Sequence, residues 1–256
     1  MTVTDVNVVK SAIFERPDDA NKGTLGSLLC VCGSYGMAGA AVMSAKGALR
    51  TGIGLAKCAL PRSIYPIVAQ TILESVYYPL SENADGRISK VNVPFLVSES
   101  CKSSATLVGC GLGVCDDTLK IVFSLIENST TPLVLDADAL NCVAKQPEIL
   151  LRKKAPIIIT PHPGEMSRLT GLATPLVNAE RERVALDFAQ KYGVVTVLKG
   201  AGTVIASPNG KVLVNPTGNS GMATGGSGDV LAGMTASILA QGASAFLSAA
   251  AAVYLH

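Results

Sequence analysis

A glycine-rich loop followed directly by a carboxylate is the feature of this sequence best suited to chemistry. The loop consists of Gly225, Gly226, Ser227 and Gly228. Asp229 comes next, and an apolar helical pattern runs from Val230 to Leu239. Backbone N–H groups at a helix start attract anions, so we call this loop the anion hole. A carboxylate beside it suits a reaction in which a hydroxyl loses a proton while a phosphoryl group arrives. The loop alone also fits a simple turn, with Asp229 in a favourable first helical turn.

A lysine and a histidine follow two other predicted strands. Lys199 begins the segment Lys199-Gly200-Ala201-Gly202-Thr203, which combines one cation with a flexible backbone. It could contact a phosphate, although lysines at strand ends are often only solvated. His162 lies between two prolines, which restrict its backbone and suit a side chain that points at a ligand. The alternative is an ordinary turn, with Pro163 starting a helix and Glu165 capping or supporting that turn.

Two aspartates and two further glycine segments complete the set of candidates. Asp136 and Asp138 could hold Mg²⁺ through water, but capping of the next helix is the favoured interpretation on local grounds. The segments 33–41 and 109–113 are rich in small residues, which would let a ligand approach the backbone. Tight packing of strand against helix explains them equally well. Neither segment has the spacing of a dinucleotide fingerprint or of a P-loop.

The elements that must position these residues alternate along the chain. Strands are predicted at 25–32, 55–60, 72–76, 105–109, 132–135, 157–160 and 194–198, and a hairpin at 203–206 and 211–214. Helices are predicted at 38–50, from Pro61, at 117–126, at 179–192, and on either side of Gly242. This order indicates a mostly parallel, doubly wound α/β sheet with helices on both faces. The polar clusters then meet at the carboxyl edge of the sheet, where such folds bind ligands.

Composition narrows the class of protein. The chain has 256 residues, of which 48% are hydrophobic and 16% charged, with a net charge of +2. We expect one domain over residues 1–256, with residues 1–20 as an irregular N-terminal arm. No basic run indicates nucleic-acid binding. The seven cysteines lack zinc-type spacing, and an odd number of cysteines without a signal peptide favours a cytoplasmic protein. Glycines interrupt the uncharged stretches 23–45 and 230–256, so no membrane segment is predicted.

Together these motifs resemble the ADP/ATP-dependent NAD(P)H-hydrate dehydratases of the ribokinase-like superfamily. The resemblance is carried by K-G-T-L-G from Lys22, G-S-Y-G-M-A-G-A-A from Gly33, G-C-G-L-G from Gly109, V-L-D-A-D-A-L from Val134, I-T-P-H-P-G-E from Ile159, L-K-G-A-G-T from Leu198 and N-P-T-G-N-S-G-M-A-T-G-G-S-G-D from Asn215. These segments span most of the chain in the expected order. Asn21, Cys32 and Cys110 depart from the residues common in the family, which puts the local loop shape in question but not the anion hole.

The resemblance implies roles for individual residues. Asp229 would lie at the substrate hydroxyl as the catalytic base, beside the anion hole. The nucleotide would contact Lys199, Gly200, Ala201, Gly202, Thr203 and Gly228. The substrate would contact Ala41, Gly111, Gly113, His162 and Asp229. Mg²⁺ is implied, with no ligands identified, and so is a homo-oligomer, with a tetramer as one form. Chains of the family usually continue beyond the position of His256, and some carry an upstream epimerase domain that has no counterpart here.

The activity implied is repair of hydrated NADH or NADPH. Phosphorylation of the ring hydroxyl by ADP or ATP, with ADP favoured, would make that oxygen a leaving group, and loss of phosphate would restore the double bond. One alternative is a small-molecule kinase of the same superfamily that acts on a vitamin precursor or sugar alcohol. A nucleotide-binding sensor without turnover is a third hypothesis, but it leaves Asp229 unexplained.

Overall fold

A single mixed sheet forms the centre of the molecule. The computed structural model describes residues 3–13 and 15–256. The strands are β1 (Ser27–Val31), β2 (Leu55–Pro61), β3 (Val76–Leu80), β4 (Ala105–Val108), β5 (Leu133–Leu135), β6 (Ile157–Ile159), β7 (Val195–Leu198), β8 (Val204–Ala206) and β9 (Val212–Val214). Their order in the sheet is β3-β2-β1-β4-β5-β6-β7-β8-β9. Neighbouring strands from β3 to β7 are parallel, and β8 and β9 are added antiparallel. The predicted parallel sheet and the predicted hairpin are therefore confirmed.

Helices cover both faces of this sheet. They are α1 (Val6–Ala12), α2 (Ala38–Arg50), α3 (Tyr65–Thr71), α4 (Val93–Lys102), α5 (Asp116–Asn128), α6 (Asp138–Val143), α7 (Pro163–Thr170), α8 (Thr174–Ala179), α9 (Arg181–Tyr192), α10 (Ser227–Ala240) and α11 (Ala245–Leu255). One face, which we call the small-residue face, is covered by α1, α2, α3, α10 and α11. The other, the large-residue face, is covered by α4 to α9. Central strands with apolar side chains on both sides need such double cover.

Three predicted boundaries are wrong. Pro61 ends β2, where it pairs with Leu80, and α3 starts later with Pro66 in its first turn. The strand predicted at 72–76 lies at Val76–Leu80, because the chain first completes α3 through a hydrogen bond from Ile72 to Val68. Pro79 is tolerated there because β3 is an edge strand. The helix predicted at 179–192 begins at Arg181, after the separate helix α8.

The N-terminal segment is more ordered than predicted. Residues 6–12 form α1, and Ala12 is buried in the core of the small-residue face. The Thr4 hydroxyl donates to Asn215 Oδ1 over 2.7 Å. The description of residues 1–20 as an irregular arm is therefore wrong for this helix, because its apolar side is covered by the body of the protein. Met1, Thr2 and Phe14 lie outside the described residues.

The long apolar C-terminal stretch forms two helices, as predicted. Gly242, with φ of 103°, separates α10 from α11. Among the residues that the structure describes, no helix combines the length and apolar character needed to span a membrane.

Candidate active site

The anion hole lies at the N-terminus of α10. Gly226 is the N-cap residue, and its φ of 92° is a left-handed conformation that favours glycine. A Cβ at Gly226 would also collide with the Met43 side chain, whereas one at Gly225 would enter open space. In the described part of the chain, the N–H groups of Gly228 and Asp229 have no backbone acceptor, as expected for a helix start. The loop therefore offers free donors beside an open volume.

Asp229 is half-buried beside two other potential ligand groups. One ligand atom each from Asp229, Asp136 and Cys110 lie within 4.8 Å of one another. Burial first, and then the negative charge of Asp136, raise the pKa of Asp229 to about 6. The Asp229 carboxyl is therefore ionised above about pH 6 and can accept a proton near neutrality.

Lys199 reaches the same cluster from the end of β7. Its Nζ donates to Asp136 Oδ1 over 2.7 Å and lies 3.8 Å from Glu165 Oε2. The Nζ atom is also 3.4 Å from where a Cβ of Gly228 would be, so the ammonium lies beside the anion hole. Although burial lowers the pKa of Lys199, the charges of Asp136 and Glu165 raise it above its ordinary value, which keeps the ammonium charged.

Asp136 is the buried centre of this network. Only 1% of it is exposed, and its Oδ1 also accepts a hydrogen bond from the Thr160 hydroxyl at 2.7 Å. The backbone at Gly109 packs directly against that of Asp136. Gly109 has φ of 124°, and a Cβ there would collide with the Asp136 carbonyl. Ala137, at φ of 50°, is the one non-glycine residue with positive φ in ranges 3–13 and 15–256. Such strained backbone often accompanies functional sites.

The favoured interpretation of Asp136 and Asp138 as helix caps is wrong. Ala137 occupies the N-cap position of α6, with no side-chain cap. Asp136 binds Lys199 and Thr160 instead, because its strand points it into the site. Asp138 accepts the N–H of Gly113 at 2.8 Å and holds that loop.

His162 caps α7. Its Nδ1 accepts the N–H groups of Gly164 at 3.0 Å and Glu165 at 3.3 Å. Glu165 Oε2 in turn accepts the His162 N–H at 2.8 Å, so Glu165 does support the turn as predicted. Burial and then the charge of Lys199 lower the pKa of His162, which keeps Nδ1 free to accept. The ring is half-exposed, and its Nε2 lies 3.5 Å from Glu165 Oε1.

The segment from Lys199 to Thr203 forms a tight turn beside a cavity of about 560 Å³. The Thr203 hydroxyl donates to the Gly200 carbonyl at 2.9 Å and closes the turn. Ala201 and Gly202 line the cavity together with Arg181. Arg181 Nη2 donates to the Leu198 carbonyl at 2.8 Å, and its guanidinium covers Gly200. The cavity therefore lies against the middle of this turn, two residues along the chain from Lys199.

Ala41 and Gly111 lie near the start of α2, and Gly113 lies beside Arg87. Ala41 is buried, and a Cβ at Gly111 would come within 2.7 Å of Ala40 Cβ. Close packing therefore accounts for the glycine at 111, and the substrate contacts of Ala41, Gly111 and Gly113 stay predictions. Two contributors were missed. Thr160 and Arg181 have no local signal, since one resembles a core threonine and the other the charged side of an amphipathic helix.

Comparison with known proteins agrees with these motifs. Residues 28–256 match the family model for NAD(P)H-hydrate dehydratase. The bifunctional NAD(P)H-hydrate repair enzyme of Thermofilum pendens is 39% identical over 196 residues, which cover 77% of this chain and 37% of the relative. The ADP-dependent (S)-NAD(P)H-hydrate dehydratase of Neisseria meningitidis is 36% identical over 76% of this chain and 62% of its own length. The chain thus spans little more than a third of the bifunctional relatives.

Solved structures confirm the fold. The ADP/ATP-dependent NAD(P)H-hydrate dehydratase of Bacillus subtilis, co-crystallised with ATP and Mg²⁺, has a TM-score of 0.83 and 32% identity, covering 98% of this chain and 85% of its own. A ribokinase-like superfamily protein of Enterococcus faecalis has a TM-score of 0.86 and 25% identity, covering 100% and 86%. The fold is therefore ribokinase-like, and the chain belongs to the NAD(P)H-hydrate dehydratase family.

Proposed function

We propose that this chain dehydrates hydrated NADH or NADPH in a nucleotide-dependent reaction and so returns the damaged cofactor to use. The observation that carries the proposal is the position of Asp229. A carboxylate with a pKa of about 6 lies in the first turn of α10, beside free amides and the ammonium of Lys199. Phosphoryl transfer to a hydroxyl needs both a proton acceptor and an anion-binding surface at one place.

The chemistry follows from the poor leaving ability of hydroxide. The substrate carries a hydroxyl on the ring carbon next to nitrogen. Asp229 accepts the hydroxyl proton while the oxygen attacks the terminal phosphorus of the nucleotide, and AMP or ADP departs. The ring nitrogen then expels phosphate, a neighbouring ring carbon loses a proton, and the double bond returns. General-base assistance of this kind contributes roughly 10²–10⁴-fold.

The anion hole and Lys199 would hold the transferring group. The N–H groups at the start of α10 face the phosphoryl oxygens, where one such donor is worth about 10²–10³-fold. Lys199 neutralises phosphate charge, and Asp136 fixes its ammonium at 2.7 Å. We assign the nucleotide to the turn Lys199–Thr203 and the adjoining cavity of about 560 Å³. His162, with its exposed ring side, faces the substrate in this assignment.

The residues present fit a divalent cation. Asp136, Glu165 and Asp229 bring three carboxyl groups to a single ammonium, so a phosphate would enter a site with excess negative charge. Mg²⁺ would arrive with the nucleotide, and Asp136 is the carboxylate that would hold it, directly or through water. The ion would neutralise charge on the phosphates.

A coupled assay tests the proposal. Purified protein receives NADH hydrate, Mg²⁺ and either ADP or ATP. The near-ultraviolet absorbance of reduced nicotinamide should return in step with phosphate release, and AMP should accumulate with ADP, or ADP with ATP. We expect ADP to support the faster reaction. Nucleotide turnover without returning absorbance would identify a plain kinase instead. Return of absorbance without nucleotide would contradict the roles of Asp229 and the anion hole.

Two further proposals are that the chain acts in the cytoplasm, which the odd number of cysteines supports, and that it forms a homo-oligomer, which the resemblance supports. Sedimentation equilibrium measures the second directly, and a monomer at all concentrations would contradict it.

A further inference from the structure

We propose that Cys110, Asp136 and Asp229 form a binding site for a thiophilic divalent cation of the Zn²⁺ and Co²⁺ class. The cluster brings together one sulfur and two carboxylate oxygens, all within 4.8 Å of one another. A sulfur donor distinguishes this site from an all-oxygen Mg²⁺ site, because thiolates favour softer ions. Three protein ligands with an open fourth position are a common arrangement for zinc.

The second oxygen of Asp136 points to the same conclusion. Oδ1 is saturated by Lys199 and Thr160, both at 2.7 Å. Oδ2 receives only the weak thiol contact from Cys110, at 3.8 Å, within the part of the chain that the structure describes. The Asp136 side chain is 2% exposed, so water compensates this oxygen poorly. A buried carboxylate oxygen without an N–H or O–H donor is costly, and a cation would satisfy it.

The fold holds these ligands in place without the ion. Cys110 is fully buried just beyond the end of β4, and Asp136 directly follows β5, the neighbouring strand. Asp229 approaches them from the first turn of α10. The three side chains are already held by different elements of a packed core. Binding of a cation between them therefore has a small entropic cost, because little side-chain ordering is needed.

Binding has a definite proton balance. The cation replaces the proton on the Cys110 sulfur, and that proton leaves to solvent, because the thiolate is the metal ligand. Asp136 and Asp229 bind as carboxylates. The bound ion would occupy Asp229 and prevent it from accepting the substrate proton. Micromolar Zn²⁺ should therefore inhibit turnover, while Mg²⁺, which prefers oxygen ligands, should not.

Cobalt spectroscopy tests the site without reference to turnover. Reduced, metal-free protein is titrated with Co²⁺ in the absence of nucleotide, and a thiolate-to-cobalt charge-transfer band is expected in the near ultraviolet. Calorimetry in two buffers of different ionisation enthalpy should show about one proton released per ion bound at alkaline pH. Cys110→Ser should abolish the band and weaken Co²⁺ affinity by at least the roughly 10–100-fold that loss of an outer-shell partner costs.

Cys115→Ser is the matched control, because Cys115 is a more accessible thiol, with a pKa lowered despite partial burial by hydrogen bonds from Thr118. It should keep the band. Cys110→Ala provides a second variant if the serine disturbs the fold, which circular dichroism checks. Absence of the band in the unchanged protein, or a band that persists in both Cys110 variants, would overturn the proposal. Because the readout needs no substrate, a failed hydrate assay would leave this result unaffected, and the reverse holds equally.

Discussion

The two faces of the sheet are packed in different ways. On the small-residue face, alanines and cysteines make up about half of the core, and α2 and α10 approach so closely that a Cβ at Gly233 would collide with the Ser44 carbonyl. On the large-residue face, larger side chains, mainly leucine, isoleucine and valine, pack between helices α4 to α9 and the strands. Helices can approach this closely only where side chains are small.

The two faces of the sheet also contribute different parts of the candidate site. Helices α2 and α10 both begin at glycine loops of the site, so their close contact fixes one loop against the other. The large-residue face contributes α7, whose first turn carries His162 and Glu165 on hydrogen bonds. We infer that close backbone contact between α2 and α10 positions the anion hole, whereas helix-capping hydrogen bonds position the first turn of α7. The predictions below test this contrast.

The largest effect should come from Asp229→Asn. The amide keeps the shape of the side chain but cannot accept the substrate proton, so turnover should fall by about 10²–10⁴-fold while nucleotide binding persists. Asp116→Asn is the matched control, since Asp116 lies in the first turn of α5 on the large-residue face. Steady-state kinetics and calorimetric nucleotide binding measure both. Equal activities in the two variants would remove Asp229 from the mechanism.

The next effect concerns the contact between α2 and α10. Gly233→Ala adds a methyl group that must push against the backbone of Ser44, and overpacking of this kind typically costs about 1–3 kcal/mol. Gly39→Ala on α2 adds the same methyl to open space. It should be neutral or stabilising by up to about 1 kcal/mol through helix propensity. Urea unfolding gives both free energies. A Gly233→Ala variant as stable as Gly39→Ala would refute close packing as the positioning device.

This packing explains what the sequence could reveal. The sequence predicted α2 with its observed limits, because the run of small residues 38–50 is bounded by glycine turns on both sides. The ligand edge was predictable because Lys199, His162 and Asp136 all follow strands. The hydrogen-bond partners were not. That Asp136 binds Lys199, 63 residues away, depends on strand order, which local patterns do not encode.

The wrong predictions have a similar cause. Helix capping is the usual role of aspartates that follow a strand. Here Asp136 and Asp138 instead bind partners distant in sequence, namely Thr160, Lys199 and Gly113. The segment 6–12 is only seven residues long, and it is helical where the body of the protein covers Val8, Val9 and Ala12. Local rules fail here because tertiary contacts decide the outcome.

A third prediction uses the electrostatics of the small-residue face. Burial first, and then Asp136, raises the pKa of Asp229 to about 6. Only the ionised carboxylate accepts a proton, so kcat/KM should be full above about pH 7 and fall roughly tenfold per unit below pH 6. The folded protein keeps the Asp229 proton to a higher pH than the unfolded chain does. Ionisation of Asp229 therefore lowers the free energy of unfolding as the pH rises through 6. Asp229→Asn should therefore unfold at higher temperature than the parent at pH 8. An acid limb near pH 4 would contradict the raised pKa.

The smallest effect should come from His162, on the large-residue face. His162→Ala removes the Nδ1 acceptor for Gly164 and Glu165, and loss of a helix cap typically costs about 0.5–2 kcal/mol. His162→Asn supplies another capping side chain and should recover most of that stability. The asparagine lacks the exposed ring side, so a substrate role for His162 would still raise the KM for the hydrate in both variants. Thermal unfolding separates the cap from the kinetics. If asparagine restores both the stability and the KM for the hydrate, then His162 only caps α7, and other groups contact the substrate.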